Sequence, residues 1–194
     1  MTPEAAPQIE HYSFDPSRST FTVHAFAEGL FSAFGHDPIV GIKDFQGEAE
    51  FVPGTFDNAS LKLKVPTASL VVLNDVKEKD RQEIERTMRK EVLETSKFPE
   101  IIFQSNNVSL SRLGEGRYRA RVIGDLTLHG VTQKNVWLNG EVTLTNDGLS
   151  AKGQFALKQS DYKIKLVSVA GGTLKIKNEV KGFFDIVARK NSVA

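Results

Sequence analysis

The sequence predicts an all-β protein built as an extended antiparallel barrel of about eight strands, with one amphipathic helix. Between residues 117 and 145, apolar and polar side chains alternate on both sides of a break at His129-Gly130. A period of two is typical of a strand that buries one face. The run before the break gives a strand of roughly 40 Å, about twice the usual length. Strands this long must close on themselves or pack on a second sheet.

Further alternating segments supply the other strands of the predicted barrel. They lie at residues 20–26, 39–51, 61–65, 101–110, 151–157 and 174–187. Asn146-Asp147-Gly148 is typical of a hairpin turn, and Lys43-Asp44 interrupts its segment in the way that a β-bulge would. About eight antiparallel strands leave room for one ligand inside a closed barrel.

One helix is predicted, over about residues 76–93. Ile84, Met88 and Val92 form a narrow apolar stripe, and the rest of the segment is mostly charged. Asp75 followed by Glu78 resembles a capping box at the start of the helix. Because acids and bases are evenly mixed, we expect a solvated helix that lies across a barrel mouth or wall, and not a membrane-binding helix.

Composition bounds the class of protein. The chain has 194 residues, of which 40% are apolar and 25% charged, as in a soluble globular protein. We predict a disordered lead over residues 1–10 and a single domain over residues 11–190. A net charge of +1 creates no strong field that would attract nucleic acid or an acidic membrane surface. The lack of cysteine excludes disulfides, thiolate metal sites and cysteine nucleophiles.

The N-terminal sequence bears on localisation. MTPEAAPQIEHYSF has neither the basic region nor the apolar core of a signal peptide. No window of the sequence approaches 18 apolar residues, so no membrane span is expected. As written, the sequence predicts a cytoplasmic protein, and a periplasmic one if a leader has been removed.

Motifs for chemistry are sparse. The sequence contains no GxxxxGK[ST], GxGxxG, GxSxG or HExxH, so we expect no catalytic residues and no metal site. The sharpest polar cluster is His36-Asp37, which has two interpretations. The pair contacts a ligand headgroup or a metal, or Asp37 caps a loop while His36 packs against Phe31 or Phe34. His129 is expected to have a structural role in its turn.

The aromatic residues favour an apolar interior. Thirteen are Phe, against three Tyr and one Trp, and several fall in predicted strands. Most of this is core filling, but strands this long leave an interior that side chains do not fill completely, and a leftover apolar cavity is a ligand site. The predicted ligand-binding residues are Phe21, Val23, Phe51, Leu63, Phe103, Val122, Leu126, Phe155 and Phe184, with His36 near the polar end.

Five segments stand in the order and spacing of one known family: Phe14-Asp15-Pro16-Ser17-Arg18-Ser19, Asp44-Phe45-Gln46-Gly47, Lys97-Phe98-Pro99-Glu100-Ile101-Ile102-Phe103-Gln104-Ser105, Gly124-Asp125-Leu126-Thr127-Leu128-His129-Gly130-Val131-Thr132 and Gln159-Ser160-Asp161-Tyr162-Lys163-Ile164. By these segments the chain resembles the YceI family of bacterial lipocalin-like, polyisoprenoid-binding proteins. The resemblance implies a lipocalin-like barrel whose apolar tunnel holds a long isoprenoid chain, such as a polyprenyl phosphate or an isoprenoid quinone. It implies no catalytic residues and no cofactor beyond a bound isoprenoid lipid.

Three functions follow from the sequence as hypotheses. The first is a non-enzymatic protein that binds, stores or transports a long-chain amphiphile, because each CH₂ moved out of water contributes ~0.8 kcal/mol. The second is a metal-dependent or stress-related enzyme that uses His36 and Asp37. The third is a filled barrel that presents its loops to a protein partner. Pairing of two barrels as a homodimer is left open.

Overall fold

The structure, a computed structural model, describes residues 8–28, 37–169 and 174–191. In this part of the chain the backbone forms fourteen strands and one α-helix. The elements are β1 (Glu10–Phe14), β2 (Thr20–His24), β3 (Ala27–Glu28), β4 (Ile39–Ile42), β5 (Gln46–Phe51), β6 (Ser60–Pro66), β7 (Leu70–Val72), α1 (Glu78–Thr87), β8 (Glu100–Gly114), β9 (Arg117–Leu128), β10 (Val131–Leu144), β11 (Gly148–Lys158), β12 (Ser168–Val169), β13 (Leu174–Ile176) and β14 (Glu179–Lys190). The predicted all-β class with a single helix is confirmed.

Eight of the strands close into an antiparallel barrel. Their order is β1-β5-β6-β8-β9-β10-β11-β14, and β14 pairs with β1 to complete the ring. The short strands β2, β4 and β7 continue from β14 at one end of the barrel, which we call the upper end. A separate small sheet joins β12, β13 and β3. The predicted eight-stranded barrel is therefore confirmed, with strands that are interrupted near the upper end.

The longest strands follow the predicted alternation. β9 covers all twelve residues of the run before the break, and β10 begins two residues later. His129 and Gly130 join them with φ of 51° and 72°. Two consecutive positive φ angles are typical of a tight hairpin turn whose twist matches that of the flanking strands. The break in the alternation is thus a strand turn, as predicted.

The interruption at Lys43-Asp44 differs from the prediction. The chain was expected to continue as one strand with a bulge, but β4 ends at Ile42 and β5 begins at Gln46. Between them Phe45 is only 2% exposed and belongs to the core. The backbone stops pairing with its neighbouring strand here because the turn places the phenyl ring inside the barrel. Burial of that ring stabilises the fold more than one further backbone hydrogen bond would.

The N-terminal boundary also differs by one residue. Glu10, expected in the disordered lead, is the first residue of β1 and pairs with Phe51. Its carboxylate accepts hydrogen bonds from Tyr12 Oη at 2.6 Å and Lys190 Nζ at 2.5 Å. These bonds hold β1 at the seam with β14, so the strand starts earlier than its sequence pattern suggests. Residues 1–7 of the predicted lead lie outside the described residues.

The helix is shorter than predicted and starts differently. α1 ends at Thr87 and continues as a π-helical turn from Met88 to Val92. Lys77 is the N-cap residue, with φ of −57° and ψ of 144°, and no side chain caps the helix. The predicted capping box with Asp75 is wrong, because Asp75 lies two residues before the cap and a box needs the cap residue itself.

Polar side chains of the helical segment cover the free edge of β7. Glu85 Oε1 accepts a hydrogen bond from the Val72 backbone N–H at 2.9 Å. Arg81 donates to the Val72 carbonyl at 3.3 Å, and Arg89 donates to the Leu70 carbonyl at 3.2 Å. Since β4 is the one strand that pairs with β7 among the described strands, these bonds supply the partners that a second neighbouring strand would otherwise give. The helix is thereby fixed across the upper end of the barrel.

Buried apolar residues form two clusters, one toward each end. The upper cluster contains Ile42, Phe45, Val65, Leu70, Met88, Leu93, Leu128, Tyr162, Ile164 and Ile186. The lower cluster contains Tyr12, Phe51, Leu149 and Ala188. Within the ranges that the structure describes, α1 is neither long nor apolar enough to cross a bilayer.

Candidate functional site

The barrel encloses an apolar cavity of about 520 Å³ at its upper end. This volume lies in the range of roughly 300–1,000 Å³ that is common for ligand pockets. Val23, Val40 and Leu126 line it from the strands, while Ile84 and Met88 line it from the helical segment. The predicted apolar stripe of the helix therefore faces the cavity.

A second cavity of about 160 Å³ lies further down the barrel. Five residues line both cavities, where the two adjoin: Phe21, Leu63, Phe103, Leu138 and Phe155. We call these five residues the partition. The rings of Phe21 and Phe155 meet edge to face within it, with centroids 6.1 Å apart. The interior is thus two adjoining apolar chambers.

Nine of the ten predicted ligand-binding residues lie on the walls of these chambers. Val23 and Leu126 line the upper cavity, Phe51, Val122 and Phe184 line the lower one, and Phe21, Leu63, Phe103 and Phe155 line both. His36 lies outside the described residues. Period-two alternation located these side chains because it determines which face of a strand points inward. That they contact a ligand stays a prediction.

Several inward-facing side chains are only half-buried, although they point into the barrel. Phe21, Leu63, Val122 and Phe155 all keep accessible surface. In a fully packed interior such residues would be in contact on all sides. Their free surface faces the cavities, so the barrel is not filled by its own side chains, contrary to the third hypothesis.

Glycines on neighbouring strands make room for the large rings. A Cβ added to Gly182 would lie 2.1 Å from Phe155 Cζ, and one added to Gly124 would lie 2.6 Å from Phe103 Cζ. Both rings therefore pass close to a strand that presents no side chain at that position. A larger residue at either glycine would collide with the ring beside it.

Sequence reasoning missed the cavity residues outside the strands. Thr87 of α1 lines the upper cavity, as do Val76 before the helix, Leu93 after the π-helical turn and Ile164 after β11. The stripe of Ile84, Met88 and Val92 indicated that one face of the helix is buried. It did not indicate what that face contacts, because this depends on where the helix packs. No periodic pattern marks Ile164, because it lies in irregular structure.

Charged residues occur only at the rim of the upper cavity, among the described residues that line it. They are Asp80, Glu83 and Lys175, and all three are exposed. We call them the rim. Arg86 donates hydrogen bonds to both carboxylate oxygens of Glu83, at 2.6 and 2.9 Å. These bonds hold the pKa of Glu83 below its usual value.

Asp37 has the structural role that was one of its two interpretations. Its carboxylate accepts a hydrogen bond from the Ala27 backbone N–H at 2.7 Å. Its carbonyl accepts from Asn74 Nδ2 at 2.8 Å. In residues 8–28, 37–169 and 174–191, no three His, Asp or Glu side chains are grouped so that they could hold a metal ion. His36, the other member of the pair, is outside these ranges.

His129 connects the β9–β10 turn to the end of the helical segment. Its side chain is 9% exposed, and its Nε2 lies 3.0 Å from Glu94 Oε2. Its Nδ1 lies 3.2 Å from the Tyr162 carbonyl, and its ring packs on Phe98 with centroids 4.4 Å apart. Hydrogen bonds from Lys97 first, and then from His129, lower the pKa of Glu94. These contacts position the turn against the wall of the upper cavity.

Comparison with known proteins places the whole barrel in one family. A family model described as YceI-like domain matches residues 12–188. The UPF0312 protein of Pseudomonas savastanoi pv. phaseolicola is 30% identical over 165 residues, which cover 82% of this chain and 81% of that protein. The UPF0312 protein of Pseudomonas fluorescens is 34% identical over 112 residues, which cover 57% of this chain and 54% of that protein. The match thus spans about half the length of the latter relative.

Solved structures share the fold. Burkholderia cenocepacia BcnA superimposes with a TM-score of 0.66 at 17% identity, covering 90% of this chain and 98% of that one. A polyisoprenoid binding domain from Saccharophagus degradans, implicated in plant cell wall breakdown, gives a TM-score of 0.63 at 17% identity, covering 93% and 98%. At these identities the likeness shows the fold alone. Taken with the family model and the sequence relatives, it follows that this chain belongs to the YceI-like domain family.

Proposed function

We propose that this protein binds a long-chain amphiphile, a polyisoprenoid, in the barrel and catalyses no reaction on it. The observation that carries the proposal is the apolar cavity of about 520 Å³ with half-buried side chains around it. The fold shared with a domain described as polyisoprenoid binding supports it. Storage or transport of the bound lipid is the role that such binding would serve.

An apolar tail supplies the binding energy in this proposal. Each CH₂ group removed from water contributes ~0.8 kcal/mol, so a chain of several isoprene units binds tightly without hydrogen bonds. Thr87 and Gln159 are the uncharged polar residues among the described residues that line the upper cavity. The amide of Gln159 already donates to the Lys177 carbonyl at 2.9 Å. Such walls suit a hydrocarbon and offer little to a catalytic mechanism.

The rim favours an uncharged headgroup. Asp80 and Glu83 carry negative charge and Lys175 carries positive charge, and Lys175 lies opposite Glu28 in the small sheet. Phosphate groups in proteins are usually held by clustered Arg and Lys or by a free helix N-terminus. The first turn of α1 instead carries Glu78 and Asp80. An isoprenoid quinone therefore fits this rim better than a polyprenyl phosphate does.

Two segments next to the strands of the small sheet in sequence contain no basic residues. Residues 29–36, GLFSAFGH, follow β3, and residues 170–173, AGGT, separate β12 from β13. Neither sequence contains Lys or Arg. The sequence of these two segments therefore adds no positive charge for a phosphate headgroup.

A matched pair of ligands tests the proposal. An isoprenoid quinone and a polyprenyl phosphate of equal chain length would be titrated against the purified protein, with bound ligand measured by native mass spectrometry. We expect the quinone to bind at least about tenfold tighter, a difference of about 1.4 kcal/mol. Tighter binding of the phosphate would overturn the headgroup assignment, and no binding of either would overturn the function.

One pair of variants locates the binding site. Val23→Phe adds volume to a side chain that lines the upper cavity, whereas Thr22→Phe adds the same ring on the opposite face of β2. We expect Val23→Phe to weaken binding and Thr22→Phe to leave it unchanged. Equal affinities of the two variants would show that the ligand binds outside the barrel.

A further inference from the structure

The partition lies where the two chambers adjoin. Four of its residues come from the ring strands β6, β8, β10 and β11, and Phe21 comes from β2, which pairs with β14. Phe155 on β11 pairs directly with Gly182 on β14, and Gly182 pairs on its other side with Val23 on β2. Because Gly182 has no side chain, the rings of Phe21 and Phe155 meet across β14 at an interplanar angle of 82°. The two rings thus lie together where the two chambers adjoin.

The three phenyl rings of the partition are not equally fixed. Phe103 is 3% exposed and lies over Gly124, so it is held by its surroundings. Phe21 and Phe155 are half-buried, and their free surfaces face the chambers. Trimming one of these two rings would therefore connect the chambers, whereas Phe103 is part of the wall.

The lower chamber is small and apolar. Its volume of about 160 Å³ is less than a third of the upper one and below the common size of ligand pockets, roughly 300 Å³. Apolar cavities of about 150 Å³ stay dry and take up small apolar molecules such as benzene or xenon. Below it, the stacked rings of Tyr12 and Phe51, with centroids 4.9 Å apart, belong to the buried lower cluster.

We propose that Phe21 and Phe155 set the length of the chain that this protein binds. This inference rests on the proposed function. The tail enters from the rim, fills the upper chamber and ends at the two rings. A longer tail gains no further affinity, because its extra units cannot enter the lower chamber. The protein thereby discriminates among isoprenoids by chain length, in addition to any choice of headgroup.

A series of uncharged isoprenols of increasing length tests the proposal. For the wild-type protein, affinity should rise with each isoprene unit and then level off. For Phe155→Ala the chain length at which affinity stops rising should be greater than for wild type. At the first length beyond the wild-type plateau, the variant should bind at least about tenfold tighter than wild type, the factor expected from burying about two more CH₂ groups.

Two further variants keep the test decisive. Phe155→Leu removes the ring with less loss of volume and serves if Phe155→Ala does not fold, as judged by circular dichroism. Phe183→Ala is the matched control, because Phe183 lies on the outer face of β14 and packs on the ring of His24 at 4.7 Å. We expect Phe183→Ala to keep the wild-type plateau.

The outcomes separate the two proposals. A plateau at the same chain length in wild type, Phe155→Ala and Phe155→Leu overturns the role of the rings but leaves isoprenoid binding intact. A plateau that also moves in Phe183→Ala overturns the role of the rings as well, since a general loosening of the barrel would then explain the change. Failure of every isoprenol to bind wild type overturns the proposed function and the length selection together.

Discussion

The ring of Phe155 lies over Gly182 of the neighbouring strand, where an added Cβ would come within 2.1 Å of Phe155 Cζ. Gly182→Ala should therefore push this ring toward the centre of the barrel. We expect a loss of about 1–3 kcal/mol in the free energy of unfolding, the usual cost of overpacking, measured by chemical denaturation. Gly114→Ala is the control, because nothing lies within 4 Å of its added Cβ. An equal loss in both variants would contradict the packing argument.

The bond between Glu85 and the Val72 backbone N–H predicts a weak point at the upper end. Glu85→Ala would leave this edge donor without its partner and would remove the ion pair of Glu85 with Arg89, whose atoms lie 3.0 Å apart. We expect a cost of about 1–3 kcal/mol in unfolding free energy and faster hydrogen exchange in β7 and α1. Glu91→Ala, whose side chain is 61% exposed, should cost less than about 1 kcal/mol. Unchanged exchange in β7 would refute the role given to Glu85.

The sequence predicted the inward face of the strands well, and for a local reason. Phe51, Val122 and Phe184 were assigned to the interior because side chains alternate strictly along a strand, and all three line the lower cavity. The break between Ile42 and Gln46 was misjudged, because the burial of Phe45 depends on a distant residue. Its ring meets that of Phe21 edge to face, with centroids 6.2 Å apart.

The site itself was less predictable than the fold. Whether a barrel is filled or hollow depends on its strand tilt and stagger, which no single strand encodes. The start of α1 was misplaced because the helix is fixed by Arg81 and Glu85 on the edge of β7, and not by a local cap at Asp75. Tertiary contacts of this kind override local signals.

The lowered pKa of Glu94 predicts a pH-dependent contribution to stability. Lys97 and His129 favour the charged form in the folded state, so the folded pKa of Glu94 lies below the usual value of a glutamate carboxyl. A depressed carboxylate pKa stabilises the fold above the unfolded pKa, and this stabilisation is lost as the pH falls through the folded pKa. Wild type should therefore be more stable than Glu94→Gln at pH 7, and the difference should shrink below about pH 4.5. Urea denaturation across this pH range measures the difference in unfolding free energy, with Glu91→Gln as the surface control. A difference that grows on acidification would contradict the predicted direction of the pH dependence.

An unfilled interior also predicts that stability and binding can be separated. Val23→Phe should place its ring in the empty upper cavity and raise the unfolding free energy of the ligand-free protein by about 0.5–2 kcal/mol, as cavity-filling changes commonly do. Saturating isoprenoid, at roughly 100 times its Kd, should stabilise wild type by about 2.7 kcal/mol but add little to Val23→Phe, because the site is occupied by the ring. Thermal unfolding with and without ligand measures both effects. Thr22→Phe should behave as wild type does. Suppose instead that Val23→Phe is less stable than wild type without ligand and is stabilised by the ligand as much as wild type is. The ligand would then bind somewhere other than this cavity.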